Sequence, residues 1–362
     1  MNENPNNDSN FNQKTPPNLR NPISQLSDDV DKITIPPNKI MTVSTSPHIK
    51  SGETTTTIMT AVIIALTPAL IWSVYIFGFR ALTLTLISVI SCVIFEALYQ
   101  KIMRKKVTVK DLSAVVTGIL IAFNIPVNTP LWAPVIGAGF AIIIVKQLFG
   151  GIGKNIVNPA IAARIFLALS FDFMSVFHDV TAEKLPALKI TADAIAGATP
   201  LADLKHGITP VNYVNIFLGW EKGGCIGEIS VLLLLAGGIY LMWRKIITWH
   251  TPVAFILVVV LLTFSFPKET SDNLNFALAQ MLSGGLFLGA LFMATDYATT
   301  PITKTGKLIF GAGCGLITVF IRYFGAYPEG VSYSIMIMNL FVWYIDKATK
   351  PVKFGGASNG RK

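Results

Sequence analysis

Ile58-Met-Thr-Ala-Val-Ile-Ile-Ala-Leu-Thr-Pro-Ala-Leu-Ile-Trp-Ser-Val-Tyr-Ile-Phe-Gly-Phe79 runs on without a single charged side chain. A helix rises about 1.5 Å per residue, so a run of this length crosses a hydrocarbon core of about 30 Å. The apolar residues are continuous rather than alternating, which points to helices and not to a membrane barrel. Similar runs follow at Ala81 to Tyr99, Leu131 to Val145, Ile229 to Met242 and Pro252 to Phe266. Of 362 residues 52% are hydrophobic and 14% charged, a composition foreign to an ordinary soluble domain.

Ten hydrophobic segments can be drawn, near 58–79, 81–100, 112–125, 131–149, 156–171, 225–242, 248–266, 276–294, 307–325 and 331–346. The formal charge of +9 is spread by membrane side rather than gathered on one soluble face, which argues against nucleic acid as a partner. Most of the 29 lysines and arginines, including the cluster from Lys101 to Lys110 and the pairs Lys146/Lys154, Arg244/Lys245 and Lys304/Lys307, fall on one side if both termini are cytoplasmic. That count predicts an all-α membrane protein of ten transmembrane helices, with the loop from about 172 to 224 outside.

Residues 1–50 are polar and rich in Asn and Pro and read as a mostly disordered cytoplasmic tail, without the apolar core of a signal peptide. The expected organisation is then a first five-helix repeat over 51–171, the extracytoplasmic loop 172–224, a second repeat over 225–350 and a short cytoplasmic tail 351–362. Cys92, Cys225 and Cys314 are scattered, with no CxxC pair, so a disulfide framework or cysteine-ligated cluster within this chain is not expected.

The halves echo each other. Gly118-x-Leu120, Asn128-Thr129-Pro130, Gly137-Ala138-Gly139 and Phe149-Gly150 recur in order as Gly289-x-Leu291, Thr299-Thr300-Pro301, Gly311-Ala312-Gly313 and Phe324-Gly325. Five segments per half make the second copy enter from the opposite side, the inverted repeat of many transporters. Segments three and eight are short and end at Asn124-Ile-Pro126 and Thr295-Asp296-Tyr297, and broken helices at matching positions point to a site or pathway. The Gly-Ala-Gly triplets read as close helix packing.

Glu96, Arg164, Asp296, Arg322 and Asp346 are ionisable groups within or at the ends of apolar segments, where an uncompensated charge costs about 2.5 kcal/mol or more. Glu96, Asp296 and Asp346 fall toward the cytoplasmic ends and are candidates for an ion pathway, since carboxylate oxygens suit hard cations. The plainer reading pairs them with nearby bases, Lys101 for Glu96 and Lys347 for Asp346. Gly150-Gly-Ile-Gly-Lys-Asn-Ile-Val-Asn-Pro159 lacks the GxxxxGKS/T spacing of a phosphate loop. Asn155 and Asn158 have the donors and acceptors to hold a planar, amide-rich ring, while Asn158 before Pro159 also reads as a helix cap. Thr199, in Gly197-Ala-Thr-Pro-Leu201, offers a hydroxyl without an adjacent base, which excludes a hydrolase nucleophile but leaves an acceptor for modification by another enzyme.

Taken together, Ser46-Pro-His-Ile-Lys50, Asp111-Leu-Ser-Ala-Val-Val-Thr117, Phe149-Gly-Gly-Ile-Gly-Lys-Asn-Ile-Val-Asn-Pro-Ala160, Gly197-Ala-Thr-Pro-Leu201 and Phe292-Met-Ala-Thr-Asp296 give the chain a family likeness from about residue 46 to 350. It resembles the D subunits of Rnf complexes, the membrane ferredoxin:NAD oxidoreductases, and more distantly the B subunits of sodium-translocating NADH:quinone reductases. The resemblance implies FMN joined to Thr199 through a phosphodiester made by a flavin transferase, with Gly197 and Ala198 as its small neighbours. Asp193 precedes this motif, and Ala196 stands where the family commonly has serine. It also implies a second, noncovalent flavin, riboflavin, with Asn155 and Asn158 as candidate contacts. The implied partners are the A, B, C, E and G subunits, one of them carrying another covalent FMN on the periplasmic side, in a bacterial or archaeal cytoplasmic membrane. The implied activity is electron relay coupled to export of Na+ or H+. Two readings from other classes are a passive channel or transporter with the same repeat and a structural scaffold for partner subunits.

Overall fold

A computed structural model describes residues 53–178, 196–197, 201, 204, 212–220, 223–267, 272–325 and 329–351. The segments expected at 1–50 and 352–362, and most of the loop 172–224, lie outside the described residues.

Twelve helices make up nearly all the described structure. The first half holds α1 (Thr55–Phe77), α2 (Phe79–Ile102), α3 (Ser113–Phe123), α4 (Ala133–Gln147) and α5 (Pro159–Ser170). After the short α6 (Tyr213–Leu218), the second half holds α7 (Val231–Trp243), α8 (His250–Ser265), α9 (Asn273–Leu282), α10 (Leu286–Met293), α11 (Lys304–Phe324) and α12 (Val331–Thr349). All ten apolar segments of the sequence are therefore helical.

Local chemistry sets their ends. The Thr54 hydroxyl accepts from Thr57 N at the start of α1, and Gly78, at φ +82°, separates α1 from α2. Ser230 and Thr303 cap α7 and α11 in the same way as Thr54 caps α1.

Not every segment is a simple span. α1, α2 and α11 are long and apolar enough to cross a membrane, and α9 with α10 makes a fourth crossing only as a pair bent by 61°. α3, α4, α5, α7 and α8 are apolar but only 10–17 residues long. The expected continuous helix over 276–294 is broken at Ser283-Gly-Gly285, where Gly284 takes φ +69°. The second part of α4, Phe140–Gln147, is wound as a π-helix.

The two halves pack alike. α2 lies against α3 and α4, as α8 lies against α9 and α11, and α4 meets α5 as α11 meets α12. The halves join where α1 packs on α7 and α5 on α12. Close approach explains the repeated glycines: a Cβ on Gly118 would sit 2.6 Å from the Val89 backbone, and one on Gly311 would sit 2.5 Å from the Thr251 carbonyl. One apolar core of buried Ala, Leu, Ile and Phe side chains runs through both halves.

Candidate functional site

Two helices stop inside the bundle, α3 at Phe123 and α10 at Met293, and polar groups gather at both stops. A cleft with a cavity volume of about 100 Å³, opening to the exterior, lies beside the end of α10. Its walls come from α1, α3, α4, α5 and α7, from α10 and from the loops at 152–158, 246–247 and 295–298. Most of its lining is apolar, with Leu241, Ile246, Leu291 and Phe292 facing polar groups of Lys146, Asn155 and Asp296.

Asn158 caps α5, as its place before Pro159 suggests, and Asn155 does not share that role. The Asn158 side chain is 3% exposed, and its oxygen caps α5 by accepting from Ala160 N (3.0 Å) and Ile161 N (3.4 Å). Its amide nitrogen donates to Met293 O (3.3 Å), so the end of α10 is tied to the start of α5. With its amide turned to satisfy both ends, Asn339 of α12 accepts from Asn158 N (3.1 Å) and donates to Thr299 O (3.0 Å). Asn155 is different: its buried oxygen has no partner among the described residues, and it lines the cleft. An unpartnered buried acceptor is costly to leave unmade, which marks the place where a ligand N–H or a water is needed.

Next to the cleft is a closed ionic network. Lys146 (2% exposed) donates to Glu96 (1% exposed) at 2.9 Å and to the Ser113 hydroxyl at 2.6 Å. Gln147 and Gln100 donate to the other oxygen of Glu96 at 2.9 and 3.3 Å. Glu96 is thus held by Lys146 from α4, not by Lys101, which is exposed on α2. Asp296 stands at the end of α10, where it accepts from the Thr299 hydroxyl (3.2 Å), and it lines the cleft. Asp346 lies outside the cleft. Its carboxylate accepts from Ile302 N (3.0 Å), while Lys347 sits over the Trp343 ring rather than on Asp346.

The stop at α3 carries a second network that composition did not reveal. The chain from Cys225 to Gly227 runs beside it, with Ile226 N donating to Ile125 O (3.0 Å) and Gly227 N to Phe123 O (2.9 Å). Arg164 of α5 donates to Asn124 O and to Cys225 Sγ, and forms an ion pair with Glu329 just before α12. Glu228 accepts from Cys225 N (2.8 Å). Cys225, Glu228 and Glu329 bring ligand atoms within 4.8 Å of one another, but the Arg164 cation already occupies two of them, which disfavours a metal ion there. Arg322 donates to Gln280 O (2.6 Å), Gln280 Oε1 (3.0 Å) and Ser283 O (3.2 Å) and so braces the α9–α10 bend.

The expected attachment motif is described only at its edges. Ala196–Gly197 forms a two-residue antiparallel pairing with Phe177–His178, in register Phe177↔Gly197. Leu201 is buried, and its Cδ1 lies 3.4 Å from where a Cβ of Gly284 would stand, an ordinary packing contact. Ala198 and Thr199 lie outside the described residues.

Known proteins share this sequence over almost its whole length. The pattern of the NQR2, RnfD, RnfE family matches residues 42–355. The chain belongs to this family. It is 46% identical over 318 residues to the D subunit of the Na+-translocating ferredoxin:NAD+ oxidoreductase complex of Acetobacterium woodii, covering 87% of this chain and 95% of that protein. It is 40% identical over 326 residues to the D subunit of the proton-translocating ferredoxin:NAD+ oxidoreductase complex of Clostridium ljungdahlii, covering 87% and 96%. The D subunit of the ion-translocating oxidoreductase complex of Escherichia coli O1:K1 is 33% identical over 348 residues, covering 87% and 99%.

Proposed function

We propose that this protein is the D-type membrane subunit of an ion-translocating ferredoxin:NAD+ oxidoreductase complex and relays electrons between partner subunits through bound flavins. Support comes from family membership across nearly the whole chain and from relatives named as D subunits of such complexes. The chain has no dinucleotide-binding fingerprint, so nicotinamide chemistry belongs to a partner and no complete active site is expected here. The partners are the A, B, C, E and G subunits, and the setting is a multi-pass position in a bacterial or archaeal cytoplasmic membrane. In this reading the ten helical segments are ten crossings or part-crossings arranged as inverted repeats, with both termini cytoplasmic.

FMN is carried on Thr199 as a phosphodiester: a separate flavin transferase moves the flavin phosphoryl group from a flavin phosphoanhydride to the threonine oxygen, the anhydride bond breaking as the new P–O bond forms and the threonine proton passing to the transferase. Riboflavin occupies the cleft, and the single observation favouring this is the Asn155 oxygen, buried and unpartnered among the described residues, on a residue that lines a mostly apolar slot. A flavin ring offers an N–H to such an acceptor and broad apolar faces to Leu241, Leu291 and Phe292. When bound, flavin supplies one- and two-electron transfer. Asn158 supports the wall by holding the ends of α5 and α10 together, and Asn155 orients the ring. Asp296, lining the same cleft, is the first choice for a passing cation, ahead of Glu96, which Lys146 closes, and Asp346, which lies elsewhere.

The test is a pair of flavin assays on matured, purified protein. In a denaturing gel, flavin fluorescence should persist and should vanish in Thr199→Val. Acid extraction should release a second flavin, reduced in amount by Asn155→Ala. A wild-type protein without flavin would return the chain to the channel or scaffold classes.

A further inference from the structure

Among the described residues, Lys146 is the one buried cation that both lines the cleft and belongs to an ionic network. An ammonium has three N–H donors, and among the described residues two are placed, on Glu96 and on the Ser113 hydroxyl. Ser113 is fixed as an acceptor for Lys146 because its own proton goes to Asp111 (2.6 Å). Lys146 itself lines the cleft. Glu96, in turn, does not depend on Lys146 alone, since Gln147 and Gln100 donate to its other oxygen. This asymmetry lets the cation change partner without stripping the carboxylate bare.

We propose that Lys146 is the charge-sensing residue of the cleft: its ammonium turns from Glu96 toward the ring when a cleft-bound flavin is reduced and gains negative charge. The proposal rests on the flavin reading above. The electron comes from the partner subunits of that reading. Lys146 keeps its protons throughout and changes only its partner. The carboxylate it leaves then carries an unbalanced charge in a low-dielectric setting, which a monovalent cation or a proton arriving past Asp296 offsets. Lys146 would in this way translate the redox state of the cleft into a demand for a cation.

The experiment is redox titration of the noncovalent flavin in the purified, flavin-loaded protein, with flavin content measured by acid extraction. Lys146→Met should keep the oxidised flavin at wild-type occupancy and lower its one-electron potential by at least 59 mV, the equivalent of a tenfold weaker hold on the reduced form. Lys146→Arg should recover most of the shift. Because Lys146→Met leaves Glu96 buried without its cation, Glu96→Gln is the companion variant. It frees the ammonium from a competing carboxylate and should move the potential upward. Fixed charges at these two positions would shift the potential additively, so the upward shift from Glu96→Gln should be clearly smaller in the Lys146→Met background, where no ammonium is left to turn. An unchanged potential in both, shifts of the same sign, or loss of the oxidised flavin from Lys146→Met would overturn the proposal. Absence of an extractable flavin in the wild type would overturn the cleft reading itself, and this inference with it.

Discussion

Removing the cation from the Lys146–Glu96 pair should be among the most damaging single changes in the bundle. Glu96 is 1% and Lys146 2% exposed, so in Lys146→Met the carboxylate remains buried with only two neutral amide donors. Breaking a buried pair by deleting one partner costs about 3–5 kcal/mol, most of it from the uncompensated charge that remains. The two glutamines keep the loss near the lower end, about 3 kcal/mol. That corresponds to a fall in Tm of roughly 6–12 °C on the scaling of large domains. The double variant Lys146→Met/Glu96→Gln removes both charges, and its carboxamide still accepts from Gln147, so about 2 kcal/mol should return. Thermal unfolding in one detergent, followed by tryptophan fluorescence, measures all three proteins. A single variant within about 1 kcal/mol of the wild type, or a double variant no better than the single, would refute the reasoning.

Other expectations concern separate elements. Asn158→Ala removes the α5 cap and should cost about 1 kcal/mol in the same unfolding assay, whereas Asn155→Ala should lower the extractable flavin and leave the Tm of the flavin-free protein unchanged. Gly311→Leu places a side chain where the Thr251 carbonyl stands, and size-exclusion chromatography should show loss of the monodisperse protein. Asp296→Asn should reduce redox-driven cation transport in proteoliposomes, and transport and electron flux both at wild-type rates would remove Asp296 from the pathway.

Much of this architecture is legible in the sequence because membrane helices announce themselves by uninterrupted apolar runs, and each run is a helix in the structure. The stops after Phe123 and Met293 were legible too, through Pro126 and through the polar Thr295-Asp296. Other features depend on contacts between residues far apart. Lys146 reads in the sequence as a charge at the cytoplasmic end of its segment, yet in the π-helical end of α4 it is buried and meets Glu96, 50 residues earlier. Arg164 meets Glu329 only because α5 of one half packs on α12 of the other. The bend between α9 and α10 had a local sign, Ser283-Gly-Gly285, lost within a run that is apolar on both sides. Pro159 already marks Asn158 as a cap in the sequence, whereas the position of Asn155 on the cleft wall, its oxygen unpartnered among the described residues, depends on the fold.

The central claim is that Thr199 tethers a flavin in a protein that passes electrons across a membrane. Peptide mass spectrometry of the subunit, purified from a complex active in ferredoxin-dependent NAD+ reduction, tests it most directly. The peptide containing Thr199 should carry FMN as a phosphodiester, and Thr199→Val should remove both the added mass and the activity. An active complex in which that peptide is unmodified would contradict the claim.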